Sequence, residues 1–187
     1  MKGRKIKTLK GKSTRPTSNK VKESLFNIIA DFIDGAKVLD LFAGSGSIGI
    51  EALSRGAKHA WFVDSNYESI KIIKDNLLET GLSDKSTVIY SNVFKVFKKS
   101  EINNEKFDVA FLDPPYNKNI LIKTLSFIDI NDIISDKGVV IVERNKIDIL
   151  PDYIGKLKVI REYKYGDTVL SLYKNMNILD RDFFANK

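Results

Sequence analysis

The stretch Lys37-Val-Leu-Asp-Leu-Phe-Ala-Gly-Ser-Gly-Ser-Ile-Gly-Ile-Glu-Ala-Leu-Ser54 decides the fold. Lys37 to Phe42 reads as a short buried strand, Gly44 to Gly49 as a turn and Ile48 to Ser54 as a helix, which together make one βα unit. The alternation continues outward with strand His59 to Val63, helix Tyr67 to Thr80 stopped by Gly81, and strands Thr87 to Tyr90 and Phe107 to Leu112. A helix from about Asn119 to Phe127 and strand Gly138 to Val142 follow. On the N-terminal side Val21, Leu25, Ile28, Ile29 and Phe32 recur at helical spacing up to a stop at Asp34-Gly35. Strands alternating with helices at this period predict an α/β chain with a doubly wound, mostly parallel sheet. The last runs, Lys156 to Tyr163 and Thr168 to Tyr173, have only Lys164-Tyr165-Gly166-Asp167 between them. They predict an antiparallel hairpin at the edge, for seven strands in all.

A chain of 187 residues suits one domain. It is expected over 18–174, between a basic extension at 1–17 and a polar tail at 175–187. The 43% hydrophobic and 29% charged composition is globular, and no apolar run reaches the roughly 18 residues of a membrane helix. The first twenty residues lack the apolar segment of a secretory signal, and the absence of cysteine excludes disulfides and thiolate metal sites. A cytoplasmic monomer without metal is expected.

The net charge of +7 is concentrated: Met1 to Lys22 hold nine basic residues and no acid, leaving 22 bases against 24 acids elsewhere. Such a local patch suits a phosphate backbone, with Lys2, Arg4, Lys5, Lys7 and Arg15 as candidate RNA contacts. A lysine-rich genome is the plain alternative, but general bias would not clear acids from 22 consecutive residues.

Ala43-Gly44-Ser45-Gly46-Ser47-Ile48-Gly49 has the spacing Gly-x-Gly-x-x-Gly between a strand and a helix, where a nucleotide cofactor can approach backbone. Asp64, twenty residues past Gly44 at a strand's carboxyl end, is placed to accept hydrogen bonds from ribose hydroxyls. The pattern alone serves NAD as well as S-adenosylmethionine. Asp40 tilts the choice, because a carboxylate beside the loop attracts the ammonium of a methionine moiety and repels a pyrophosphate. The alternative is that Asp40 caps a turn or a helix N-terminus and the glycines merely allow tight packing.

Asp113-Pro114-Pro115-Tyr116 follows the strand Phe107 to Leu112 on the same rim as Gly44 and Asp64. Two prolines stiffen the loop and hold its carbonyls in fixed directions. An exocyclic amine on a base is a poor nucleophile because its lone pair is delocalised into the ring. The Asp113 carboxylate and Pro114 carbonyl can each accept one amino hydrogen and so localise that pair towards the sulfonium methyl, while Tyr116 stacks on the base. A turn with a core tyrosine is the ordinary reading of such a run; its position two strand-helix units after a glycine loop favours the chemistry.

With these residues in place the chain resembles the bacterial 16S rRNA guanine-N2 methyltransferase family over nearly its whole length. The likeness is carried by Arg15-Pro16-Thr17 with Val21-Lys-Glu-Ser-Leu-Phe-Asn27, by Leu39-Asp-Leu-Phe-Ala-Gly-Ser-Gly46 running into Gly49-Ile-Glu-Ala-Leu-Ser-Arg-Gly-Ala57, and by Phe107-Asp108 through Tyr116. It implies a Rossmann-like methyltransferase that uses S-adenosylmethionine to methylate a guanine of 16S rRNA, in free RNA or in the small subunit. It also implies Arg15 to Thr17 beside the cofactor pocket, Asn92 near adenine with Val93 next to it, Phe42 and Ala43 in the cofactor loop, and Asp113 to Tyr116 around the guanine amine. Asn66 stands where the family pattern has an acid. Two rivals remain: a DNA adenine-N6 methyltransferase, whose loop chemistry is identical but which needs a target-recognition region, and a non-catalytic RNA-binding assembly factor.

Other residues read as structural. His59, the single histidine, is expected to be exposed at a strand start; Trp61, Phe62 and Tyr90 to be core; Lys71 and Lys74 to be a solvated helix face. Glu143 is either a supporting residue on the active rim or the partner of Arg144 or a lysine.

Overall fold

A computed structural model describes residues 6–8, 19–102, 104–114 and 118–176. Helix α1 (Asn19–Ile28) leads through a 3-10 turn at Ala30–Phe32 into strand β1 (Lys37–Asp40) and helix α2 (Ser47–Ser54). Then come β2 (His59–Asp64), α3 (Tyr67–Thr80), β3 (Ser86–Tyr90), the one-turn helix α4 (Val93–Val96), β4 (Phe107–Leu112) and α5 (Lys118–Ile130). Strands β5 (Ile134–Asn145), β6 (Tyr153–Ile154), β7 (Leu157–Tyr165) and β8 (Thr168–Asn175) complete the order.

The strands form one sheet in the order β3-β2-β1-β4-β5-β8-β7-β6. The first five are parallel, and β8, β7 and β6 add on antiparallel. Eight strands replace the expected seven. The extra one, β6, pairs only Tyr153 with Lys158 and Ile154 with Leu157, too short a run for any periodicity to reveal. The order reverses between β1 and β4, so the crevice outside their carboxyl ends is the topological switch point of the sheet.

Alternation along the strands divides the core into two layers. Val38, Val109, Phe111, Val139 and Ile141 face one layer with Leu25 and Phe26 of α1, Ile50 and Leu53 of α2, and Ile70, Ile73 and Leu77 of α3. Leu39, Ala110, Leu112, Val140 and Val142 face the other with Val93 and Val96 of α4 and Leu121, Leu125 and Ile128 of α5. Helices therefore cover both faces.

Boundaries follow local chemistry. Helix α3 starts where the Asn66 side chain accepts the N–H of Glu68 and stops at Gly81, whose φ of 70° lets its N–H reach the carbonyl of Leu77. The helical pattern predicted to run to Phe32 breaks after Ile28, and its buried side includes Phe26 and Ile33, while Ile28 and Phe32 are only partly buried. Strand β5 is longer than the apolar run Gly138 to Val142 because polar Ser135-Asp136-Lys137 belong to it. Ser135 Oγ donates to Asp108 there, and a side chain at 138 would sit 2.8 Å from the Phe107 carbonyl. The β7–β8 turn is tighter than the four residues expected: Tyr165 pairs with Thr168 across Gly166-Asp167, with Gly166 at φ 62°. Strand β8 takes in Asn175, and Met176 donates its N–H to the Lys156 carbonyl, so the ordered sheet passes the expected start of the tail. No helix among the described residues is long and apolar enough to cross a membrane.

Candidate active site

The glycine loop joins β1 to α2 at the switch point, and its three glycines answer two steric needs. Gly44 and Gly46 take φ values of 55° and 77°, a region that side chains disfavour, and the Gly46 N–H closes a tight turn on the Ala43 carbonyl at 2.7 Å. Gly49 has ordinary φ, but a Cβ there would lie 2.3 Å from Cε1 of the fully buried Phe62. The first two shape the turn; the third lets α2 lie directly on β2.

Two carboxylates brace the loop. Asp64, at the end of β2, accepts the N–H of Gly44 at 2.8 Å through Oδ2 and the N–H of Asn66 at 2.7 Å through Oδ1. Asp40, 2% exposed, accepts the N–H of Gly49 in the first turn of α2 at 3.3 Å. The capping contact that the sequence left as an alternative for Asp40 is therefore present. Burial raises the Asp40 carboxyl from 3.8 to about 7, the Gly49 hydrogen bond opposes the rise, and the nearby Asp64 charge adds to it.

That shift has a measurable consequence. A carboxyl raised on folding contributes stability that is fully present below its unfolded value and is lost as pH rises through about 7. Asp40→Asn keeps an acceptor for Gly49 and carries no charge, so we predict that its Tm gains on wild type between pH 5 and pH 8 and holds that gain above. A Tm difference that is flat with pH would show that Asp40 does not titrate in this window.

Asp113 follows β4, the immediate neighbour of β1. Asp40 pairs in register with Phe111, and Leu41 donates its N–H to the Phe111 carbonyl, so Asp113 and the glycine loop leave adjacent strands at one rim. Asp113 is half-buried and Pro114 buried. Pro115, Tyr116, Thr17, Arg15, Lys2, Arg4 and Lys5 lie outside the described residues. Ala43 and Val93 are buried, Phe42 and Ser45 half-buried, and exposed Asn92 caps α4 by accepting the Phe94 N–H at 2.9 Å.

Several expectations change. Lys7, an expected RNA contact, is exposed and has acidic neighbours on α3: its ammonium is 2.6 Å from Glu79 and 3.8 Å from Asp75, and the Glu79 hydrogen bond raises its pKa. Tyr90 is not core. It ends the edge strand β3, is 56% exposed and meets Tyr67 edge to face at 5.9 Å. His59 is half-buried rather than exposed, shares a hydrogen bond with Thr87 Oγ1 at 2.9 Å, and lies against Trp61. Arg144 pairs with Glu162 at 2.6 Å, and Ser171 Oγ donates to the same carboxylate. Trp61 and Phe62 are core, and Lys71 and Lys74 are solvated. The sequence reading overlooked Asn76, although its place between Ile73 and Leu77 on the buried side of α3 signals a polar group that must be paired.

The donor set fits S-adenosylmethionine. Asp64 offers acceptor capacity for ribose hydroxyls, and two acidic groups close enough to affect each other, one of them, Asp40, raised to about 7, suit a cationic ligand, which favours their ionised forms, and oppose a pyrophosphate. The family model described as Conserved hypothetical protein 95 matches residues 1–174. Bacillus subtilis YlbH is 40% identical over 173 residues, covering 92% of this chain and 94% of its own. The ribosomal RNA small subunit methyltransferase D of Haemophilus influenzae is 34% identical, covering 92% of this chain and 89% of its own. Among solved structures, Escherichia coli yhhF superposes with a TM-score of 0.82 at 30% identity over 93% of both chains. The chain thus belongs to the Conserved hypothetical protein 95 family, that of the ribosomal RNA small subunit methyltransferase D proteins, class I methyltransferases whose methyl donor is S-adenosylmethionine.

Proposed function

We propose that the protein methylates the exocyclic N2 amine of a guanine in 16S rRNA. The observation that carries the reading is the departure of Asp113-Pro114 and the glycine loop from paired strands β4 and β1 at one rim, which supports a shared crevice for amine acceptors and methyl donor. S-adenosylmethionine supplies an electrophilic methyl on sulfur. The Asp40 carboxylate, by this reading, holds the ammonium of the methionine moiety, Asp64 the ribose, and Asn92 with Val93 the adenine edge.

Catalysis by these residues is orientation. The guanine amine would donate one hydrogen to the Asp113 carboxylate and the other to the Pro114 carbonyl, which would localise the nitrogen lone pair for attack on the methyl. Transfer of the methyl from sulfur to nitrogen would leave the nitrogen with a proton to lose, and the Asp113 carboxylate would accept it. The proposal gives Pro115, through its fixed φ, the task of stiffening the loop and Tyr116 that of stacking on a base lifted out of its helix.

The RNA target is supported by the names of the relatives and by the basic N-terminal residues; the choice of guanine N2 rests on the resemblance in the sequence. A DNA adenine-N6 methyltransferase shares the loop chemistry, but it needs a target-recognition region, and every element among the described residues belongs to the one sheet or the helices on it. The test is incubation with radiolabelled S-adenosylmethionine and separate pools of undermodified 16S rRNA, small subunits, tRNA and DNA, followed by nucleoside analysis. Label is expected in N2-methylguanine from 16S rRNA or small subunits. Label in N6-methyladenine or in DNA overturns the proposal.

A further inference from the structure

Asn76 makes three hydrogen bonds from a side chain that is 1% exposed. Its Oδ1 accepts the N–H of Lys7 at 2.9 Å, and its Nδ2 donates to the Lys7 carbonyl at 3.0 Å. One carboxamide thereby grips both backbone groups of one residue, as a neighbouring strand would. The other Nδ2 hydrogen goes to the Ser45 carbonyl at 2.9 Å, inside the glycine loop. A single side chain joins the N-terminal segment to the cofactor loop.

The Ser45 contact reaches beyond stability. The peptide between Ser45 and Gly46 is held at both ends, its carbonyl by Asn76 and its N–H by the Ala43 carbonyl. Glycines at 44 and 46 give the loop little intrinsic resistance to rotation of that peptide, so its orientation depends on the outside contact. Segment 6–8 is itself docked by partly buried Ile6 and by the Lys7 ion pair with Glu79. If the segment leaves, the Oδ1 atom and one Nδ2 hydrogen of Asn76 lose their partners, and the carboxamide is free to turn away from Ser45.

We propose that Asn76 is a positioning residue that couples docking of the segment Ile6 to Thr8 to the shape of the cofactor loop, so that affinity for S-adenosylmethionine depends on the segment. The proposal rests on the glycine loop being the cofactor site. The coupling runs through backbone groups of Lys7 and not through its charge, which gives the test its contrast.

The experiment is calorimetric titration of S-adenosylmethionine into the full chain and into Asn76→Ala, Lys7→Pro, Glu79→Gln and Asp64→Ala, with thermal unfolding of each. Asn76→Ala removes the clamp, and Lys7→Pro removes the N–H it grips from a surface segment where core folding is not at stake. Both are expected to raise Kd about tenfold, the loss of roughly one buried hydrogen bond, with kcat at saturating cofactor within about threefold of wild type. Glu79→Gln breaks the ion pair, keeps the clamp, and is expected to leave Kd within about twofold. Wild-type Kd in both Asn76→Ala and Lys7→Pro overturns the coupling, as does a loss in Glu79→Gln equal to that in Lys7→Pro. Unchanged binding in Asp64→Ala would instead refute the placement of the cofactor at this loop.

Discussion

Asp113→Ala is expected to lower methyl transfer by at least about a hundredfold while the chain still folds and still binds S-adenosylmethionine. The side chain stands at the carboxyl end of β4, half-buried, where truncation leaves the strand's backbone pairing to β1 and β5 untouched. Removing one preorganised polar group aimed at a reacting centre typically costs about 10²–10³ in turnover. In the proposed mechanism the same group would both orient the amine and take its proton, so a loss in the upper part of that range is expected. Asp113→Asn separates the two tasks, since its amide oxygen still accepts a hydrogen bond but is a far weaker base. Single-turnover rates at saturating cofactor and RNA measure both, and wild-type turnover in the alanine variant would remove Asp113 from the chemistry.

Gly49→Ala is expected to destabilise the fold more than its single methyl group suggests. The added carbon would lie 2.3 Å and 2.6 Å from two ring carbons of Phe62, which is completely buried, so neither the ring nor the helix can yield cheaply. Overpacking of this kind costs about 1–3 kcal/mol, and at about 2–4 °C per kcal/mol for a chain of this size Tm should fall by several degrees. Relief comes from shrinking the ring: Phe62→Leu, destabilising alone, is expected to cost much less in the Gly49→Ala background, because the two sites share one space. Strict additivity of the two substitutions in thermal unfolding would contradict the contact. Moving α2 would also pull the Gly49 N–H from Asp40, so cofactor affinity should fall with Tm.

Much of this architecture is legible in the sequence wherever a local signal is strong. Helix α3 begins and ends at the predicted residues because a side-chain cap and an αL glycine mark its ends. Strand β4 is read correctly because it is apolar on both faces and bounded by charge and proline. Elements α4 and β6 escape because four and two residues carry no period. Tyr90 misleads because β-propensity does not say that β3 is an edge strand, whose last residue is left 56% exposed. The ion pairs of Lys7 are equally hidden: a basic run announces its charge, while Asp75 and Glu79, which face one member of it, lie some 70 positions away on α3. Within the site, the glycine spacing foretells backbone geometry well, but the three-way grip of Asn76 joins residues 7, 45 and 76, and nothing local connects them.

Strand β6, which closes the sheet beyond β7, has a consequence for the protein in crowded solution. A long, unprotected margin of hydrogen-bonding groups invites another chain to add on and seed insoluble assemblies. Strand β7 is nine residues long and would be such a margin, but two residues of β6 cover its start, and Lys158, Arg161 and Lys164 punctuate it with positive charge. The part that remains open, Val159 to Tyr165, carries Arg161, Glu162 and Lys164, and this charge should keep the protein dispersed at high concentration.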